Sequence, residues 1–253
     1  MKVVVLATDS TSTWMLVNAL LLDYPQLKVV LESPISRWML LRRRVVKMGA
    51  WTVFGQILFM LCIPLLRFLT QQHIKALINR SNLNAKCPLN FVVTQFDSVN
   101  SNQCIEWLST ERPDVVVLNG TRIISSAVLN TCKATFLNTH CGITPAYRGV
   151  HGGYWALFKK DKKNAGVTIH LVDQGIDTGD IVYQAVIDVD KDDNFLTYPI
   201  KQYIAGIPLM REALANVSNN RLITSRRDDL PSSIWQHPTI WNYFFARWFR
   251  GVR

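Results

Sequence analysis

Short, wholly apolar runs rich in β-branched residues recur along the chain between longer mixed stretches. Val3 to Ala7 is the first such run and Val29-Val30-Leu31 the second. Asp114-Val115-Val116-Val117-Leu118 is the clearest, with Asn90 to Thr94 before it and Phe136-Leu137-Asn138 after it. Runs that are apolar on both faces fit parallel strands, which helices cover on both sides. Gly166 to Val172 alternates instead, and Ile181 to Val189 closes the series. Trp14 to Asp23 and Gln103 to Thr110 read as helices, the first capped by the polar turn Thr8 to Thr13. This order predicts an α/β fold: a Rossmann-like, doubly wound, mostly parallel sheet over residues 1–190.

Two segments stand outside that plan. Residues 36–80 predict a helical insertion. It holds Arg42-Arg43-Arg44 and then Ala50 to Leu66, an apolar run in which only Thr52 and Gln56 are polar. The pattern predicts two helices, interrupted near Gly49 and Pro64. Residues 191–253 form a short C-terminal extension. Its tail, 232–253, interleaves Trp235, Trp241, Tyr243, Phe244, Phe245, Trp248 and Phe249 with Arg247, Arg250 and Arg253. The insertion reaches the lower limit of about 17 residues for a spanning helix. A single crossing would separate strands that must share one sheet. A buried helix, a homodimer contact, and membrane-surface contact through 36–80 and 232–253 all fit the composition.

Composition narrows the partners. Of 253 residues, 28 are Lys or Arg and 18 are Asp or Glu, a net charge of +10. Such a surplus suits nucleic acid, a nucleotide-linked substrate or an acidic membrane surface. Cys62, Cys87, Cys104, Cys132 and Cys141 are odd in number and show no C-x-x-C spacing. That argues against a disulfide framework or a zinc site and for a reducing compartment. The first apolar run is too short for a signal-peptide core, so a cytoplasmic location is expected, with the inner face of the membrane as a peripheral site. No G-x-G-x-x-G follows that run, which argues against a dinucleotide-dependent dehydrogenase.

Chemistry concentrates between Phe136 and Asp180. Asn138 and His140 lie two apart at the end of a strand, so both can point the same way from the sheet edge. Open α/β sheets bind ligands at that edge. Asp177 follows another strand, between Gly175 and Gly179, which permit a tight turn. An amide, an imidazole and a carboxylate together suit acyl transfer. The amide and a protonated imidazole can stabilise an oxyanion, and the carboxylate can hold the imidazole charged and help remove a proton. Taken singly, each of these residues could merely cap a turn.

Asn138-Thr139-His140, then Pro145-Ala146-Tyr147-Arg148-Gly149, then Gly166-Val167-Thr168-Ile169-His170 and Gly175-Ile176-Asp177-Thr178-Gly179 together resemble the folate-dependent formyltransferases. The resemblance is dense over 114–184, thinner over 1–30, and absent from 36–80 and the last sixty residues. It implies a catalytic trio of Asn138, His140 and Asp177, and 10-formyltetrahydrofolate as co-substrate, with no metal. It also implies pterin binding, largely through backbone, by two loops: Thr121, Arg122, Ile123 and Ile124 in the first, Val172 and Asp173 in the second. Tyr147, Arg148, His151 and Tyr154 are then expected on the acceptor side, with Arg148 placed to meet a phosphate or carboxylate. His170 is expected to support the Asp177 loop.

Three departures bear on the acceptor. The first turn, Ala7 to Thr13, lacks the glycines of the purine-pathway members. Cys-Gly-Ile-Thr-Pro follows His140 where Ser-Leu-Leu-Pro is common. The tail is too short for an added tRNA-binding domain. The expected acceptor is therefore the primary amine of a nucleotide-linked amino sugar, with no nucleic acid partner. A lipid-linked amino sugar, glycinamide ribonucleotide and methionyl-tRNA are the alternatives, as is a non-catalytic, membrane-associated folate-fold binding protein.

Overall fold

A computed structural model describes the backbone of residues 1–253 and the side chains of all but residues 37–40 and 43. In chain order the elements are β1 (Val3–Ala7), α1 (Thr11–Leu21), β2 (Lys28–Glu32), α2 (Arg37–Met48), α3 (Ala50–Arg80), β3 (Val93–Phe96), α4 (Asn102–Glu111), β4 (Val115–Asn119) and α5 (Ser126–Leu129). Then come β5 (Thr135–His140), β6 (Arg148–Gly149), α6 (Gly152–Phe158), β7 (Gly166–Leu171), β8 (Ile181–Val186), α7 (Thr197–Ser218), β9 (Ile234–Trp235) and α8 (Ile240–Phe245).

Seven strands form one sheet in the order β3-β2-β1-β4-β5-β7-β8. The first five are parallel, and β7 and β8 are antiparallel additions at one side. Strand side chains alternate between the faces. Val3, Val5 and Ala7 enter one apolar cluster with α1 and α7, while Val4 and Leu6 enter another with α4. Val115 and Val117 divide from Val116 and Leu118 in the same way. Helices on both faces explain why these runs carry no polar position.

Several boundaries shift from the sequence reading. β3 lies at Val93–Phe96 rather than Asn90–Thr94, because Asn90 is left-handed (φ 59°) and the Phe91 amide closes a turn onto the Pro88 carbonyl. β5 runs on to His140. Gly49 does separate two helices, but Pro64 does not interrupt α3, which is continuous for 31 residues. Pro64 sits on the exposed side, where a lost backbone bond is tolerable. The largest addition is α7, to which the pattern assigned no element. Its Tyr203, Ile207, Met210, Ala213 and Leu214 are buried against the sheet in the same cluster as β1.

A third cluster joins Phe59 of α3, Tyr154 and Trp155 of α6, Phe195, and Tyr243 of α8. Gly55 permits this closure. A Cβ there would lie 2.6 Å from Trp241 Cε2 and 2.9 Å from Thr239 Cβ, so only hydrogen lets α8 approach α3.

Candidate active site

The site is built where the parallel and antiparallel parts of the sheet meet. Asn138 and His140 occupy alternate positions of β5 and so share one face. On the antiparallel neighbour, His170 lies directly opposite Asn138. The register between β7 and β8 is irregular at Ile169/His170, the kind of strand defect that re-aims a side chain. Asp177 arrives from the β7–β8 loop with φ at 51°, a left-handed conformation that Asp and Asn tolerate better than most residues. Asp173 shapes this loop by accepting from the Gly175 amide at 2.9 Å and the Thr178 hydroxyl at 2.6 Å.

The three predicted residues converge. Asp177 Oδ2 is 3.3 Å from His140 Nδ1 and accepts the Gly149 amide at 2.8 Å. Asp177 Oδ1 accepts from Asn138 Nδ2 at 3.4 Å and lies 3.6 Å from His170 Nε2. His170 Nδ1 sits 2.6 Å from the Leu171 carbonyl and donates to it, which turns Nε2 toward Asn138 Nδ2, 3.1 Å away. This orients the Asn138 amide. His170 thus supports Asp177 and Asn138 together.

The His140 ring is 5% exposed. Its Nε2 is 2.7 Å from the Tyr147 carbonyl, so that nitrogen carries a proton. Burial lowers the imidazole pKa, and this outweighs the opposing pull of Asp177 and the Tyr147 carbonyl. Nδ1 is the nitrogen that faces Asp177, 3.3 Å away, so a proton at that position is shared between the ring and the carboxylate. The pair is therefore poised to accept a proton at Nδ1, with Asp177 stabilising the resulting cation. Burial also pushes the Asp177 carboxyl up, but the neighbouring His140, His170 and the Gly149 amide together hold it down at about 2. It is ionised at neutral pH.

These groups lie in the wall of a cleft of about 970 Å³. Thr121, Arg122, Ile123, Ile124, Val172 and Asp173 line the same cleft. The first loop is fastened from below. Buried Glu32 accepts the Arg122 amide at 2.6 Å and the Val99 amide at 3.2 Å, while Asn100 donates to the Ile123 carbonyl at 2.9 Å and accepts the Ser125 amide at 2.8 Å. The Arg122 guanidinium is turned inward, donating to the Ser33 carbonyl at 2.6 Å. Exposed Ile123 and buried Ile124 offer an apolar strip beside backbone groups, a combination that fits a flat, polar-edged ring.

The acceptor-side expectations divide. His151 lines the cleft, left-handed at φ 58° and 2.9 Å from His237 Nδ1. Tyr147 does not reach the cleft through its ring. Its hydroxyl donates to Asp161 at 2.9 Å, and only its carbonyl serves the site, through His140. Tyr154 is packed in the aromatic cluster. Arg148 donates to the Ile176 carbonyl at 3.3 Å and borders a smaller neighbouring cavity, so it braces the Asp177 loop.

Sequence reasoning missed most of the acceptor wall. Arg44, Lys47, Gln56, Tyr203, Gln236 and His237 line the cleft from α2, α3, α7 and the segment before α8. Gln56 is 2% exposed, donates to the His237 carbonyl at 2.7 Å, and leaves Oε1 buried without a partner among the described residues. Its signal was in the sequence: one amide inside an apolar run. His237 offered none.

The His151–His237 pair gives a stability prediction. Burial first, then the positive neighbours, lowers His151 to about 3 and His237 to about 4. The unfolded chain binds these protons first as pH falls below about 6.5. The pair's stability is therefore intact above that value and is lost as pH falls toward 4 and then 3. At pH 5 each histidine is expected to cost roughly 1–2 kcal/mol. Asp177 does not act in this window, since its depressed pKa matters only below the ordinary carboxylate value. Urea unfolding at pH 7 and pH 5 checks this; equal midpoints would refute it.

Comparison with known proteins agrees with this geometry. A family model described as formyl transferase matches residues 68–201, just over half of the chain. Methionyl-tRNA formyltransferase of Chlorobium chlorochromatii (strain CaD3) is 28% identical over 145 residues, covering 57% of this chain and 46% of that one. The same enzyme of Caldicellulosiruptor saccharolyticus is 30% identical over 155 residues, covering 60% and 47%. The chain thus spans about half the length of these relatives. A sugar N-formyltransferase from Shewanella sp FDAARGOS_354 shares the fold with a TM-score of 0.59 at 16% identity, covering 93% of this chain and 76% of that one. Glycinamide ribonucleotide transformylase 1 from Symbiobacterium toebii shares it with a TM-score of 0.58 at 18% identity, covering 90% and 92%. With its sheet, its clustered Asn138, His140 and Asp177, and this match over half its length, the chain belongs to the formyl transferase family.

Proposed function

We propose that this chain transfers a formyl group from 10-formyltetrahydrofolate to the primary amine of a nucleotide-linked amino sugar. The observation that carries the transfer is the convergence of Asn138, His140 and Asp177 in the wall of one cleft with both expected pterin loops. The folate supplies an activated formyl carbon. The backbone of residues 121–124 and 172–173 holds it. Asn138 donates through its amide to the oxygen that gains negative charge; its 3.4 Å bond to Asp177 is weak enough to exchange. His140 Nδ1 takes the proton that the attacking amine loses, Asp177 stabilises the imidazolium, and the proton is returned to the folate nitrogen as its bond to the formyl carbon breaks and tetrahydrofolate leaves.

The acceptor reading rests on the other wall. Arg44 and Lys47 bring two cations to the cleft, suited to a pyrophosphate, and the His151–His237 pair offers polar groups for a sugar. Among proteins of the same fold, one sugar 3N-formyltransferase is described with dTDP and 5-N-formyl-THF, and the N-formyltransferase of Helicobacter canadensis with folinic acid and dTDP-3-aminofucose. The methionyl-tRNA relatives favour a second reading, formylation of methionyl-tRNA.

The test is tetrahydrofolate release from 10-formyltetrahydrofolate with a panel of nucleotide-linked amino sugars and methionyl-tRNA. Release that requires an amino sugar supports the first reading. Release only with methionyl-tRNA replaces it with the second. Folate binding without release with any acceptor overturns both.

A further inference from the structure

We infer that the exposed face of α3, together with the C-terminal helix formed by α8 and the turn that continues it over Ala246–Arg250, is a docking surface for an anionic lipid bilayer. This goes beyond the catalytic reading and does not depend on it.

The face begins with the helix. Along α3, Val53, Gln56, Phe59, Ile63, Leu66 and Thr70 turn toward the protein at helical spacing. The other side carries Trp51, Phe54, Met60, Leu61, Leu65 and Phe68, all exposed; Leu61 is 70% and Phe68 69% accessible. By length and composition the helix could cross a membrane, yet it lies along the domain, with Phe59 and Ile78 in two of its cores. It differs from an ordinary core helix in that only 22% of its most apolar 18-residue stretch is buried. The C-terminal helix extends the patch. Trp51 stacks on Trp241 at 4.9 Å, and Phe244 stacks on Trp248, with Trp248 and Phe249 each 70% exposed. A contiguous apolar surface of this kind marks an interaction site.

Charge identifies the occupant. Residues 36–80 contain eight Lys or Arg, residues 230–253 contain three, and neither segment contains an Asp or Glu. The chain as a whole has 28 basic and 18 acidic residues, so these two segments account for its entire positive surplus. Among the described residues, Arg42, Arg67, Arg247 and Arg250 form no ion pair within the chain. A second copy meeting this face would bring a second set of like charges to it. An anionic bilayer offers the opposite: apolar depth for the Leu, Phe and Met side chains, an interface for the tryptophans, and phosphates for the arginines.

The experiment uses the full chain and sedimentation with vesicles of phosphatidylcholine, with and without phosphatidylglycerol. Binding is expected to phosphatidylglycerol-containing vesicles and to weaken with salt. Leu61→Glu with Phe68→Glu is expected to lower partitioning by about 100-fold, since two inserted apolar side chains become charged. Arg247→Glu with Arg250→Glu leaves the apolar face intact and is expected to lower it at least about 10-fold. Circular dichroism and folate binding report whether each variant is folded. Wild-type protein that stays in the supernatant with both vesicle types overturns the inference. So does a soluble dimer that Leu61→Glu with Phe68→Glu converts to monomer, which would assign the face to a second copy.

Discussion

Asp177→Asn is expected to lower turnover by about 10³-fold, within the range typical of positioned acid–base groups. The change keeps the side-chain shape, and Asn tolerates the left-handed backbone at φ 51°. The Gly149 amide can still donate to the remaining carbonyl oxygen. What changes is the charge beside His140 Nδ1, 3.3 Å away. With the carbonyl oxygen kept on Gly149, the new amide nitrogen takes the place of Oδ1 beside Asn138 and His170, and the negative charge that stabilises imidazolium is gone. KM for folate is expected to move little, because Glu32 and Asn100, not Asp177, hold the 121–125 loop. A variant that retains more than about a tenth of wild-type turnover removes Asp177 from the proton path.

Leu214→Ala is expected to cost about 3 kcal/mol of stability, in the range for a fully buried leucine truncated to alanine. Leu214 is 0% exposed and packs with Met210, Ile207 and the β1 and β4 valines. Arg211→Ala, on the same helix, is the control. Its ion pair with Asp23 is partly exposed on both sides, and such pairs contribute about 1 kcal/mol or less. Chemical denaturation of the two variants checks the contrast. Equal, small losses would mean that α7 is only loosely applied to the sheet.

The parallel strands were legible because a strand buried on both faces has nowhere to place a polar residue. Asn138, His140 and Asp177 were legible because alternate strand positions and a glycine-flanked loop are local patterns. α7 was not, since Gly206, Pro208 and scattered polar positions blur its stripe, and its partners on β1 lie some two hundred residues away. Tyr147 was read onto the wrong side: the sequence offered an aromatic beside a catalytic strand, and only the fold turns its hydroxyl to Asp161. Arg44, Gln56 and His237 come from three distant stretches, so no motif could gather them.

The join between parallel and antiparallel strands has an evolutionary consequence. The proposed proton transfer draws only on β5, β7 and the loop that follows β7, a stretch of about forty residues that includes two strands of the sheet. The opposite wall is drawn from α2, α3 and the segment around 236–237, which share no sequence with it. Selection can therefore exchange one wall, by insertion or drift, without retuning the proton transfer on the other. A lineage built this way changes acceptor more readily than it changes reaction.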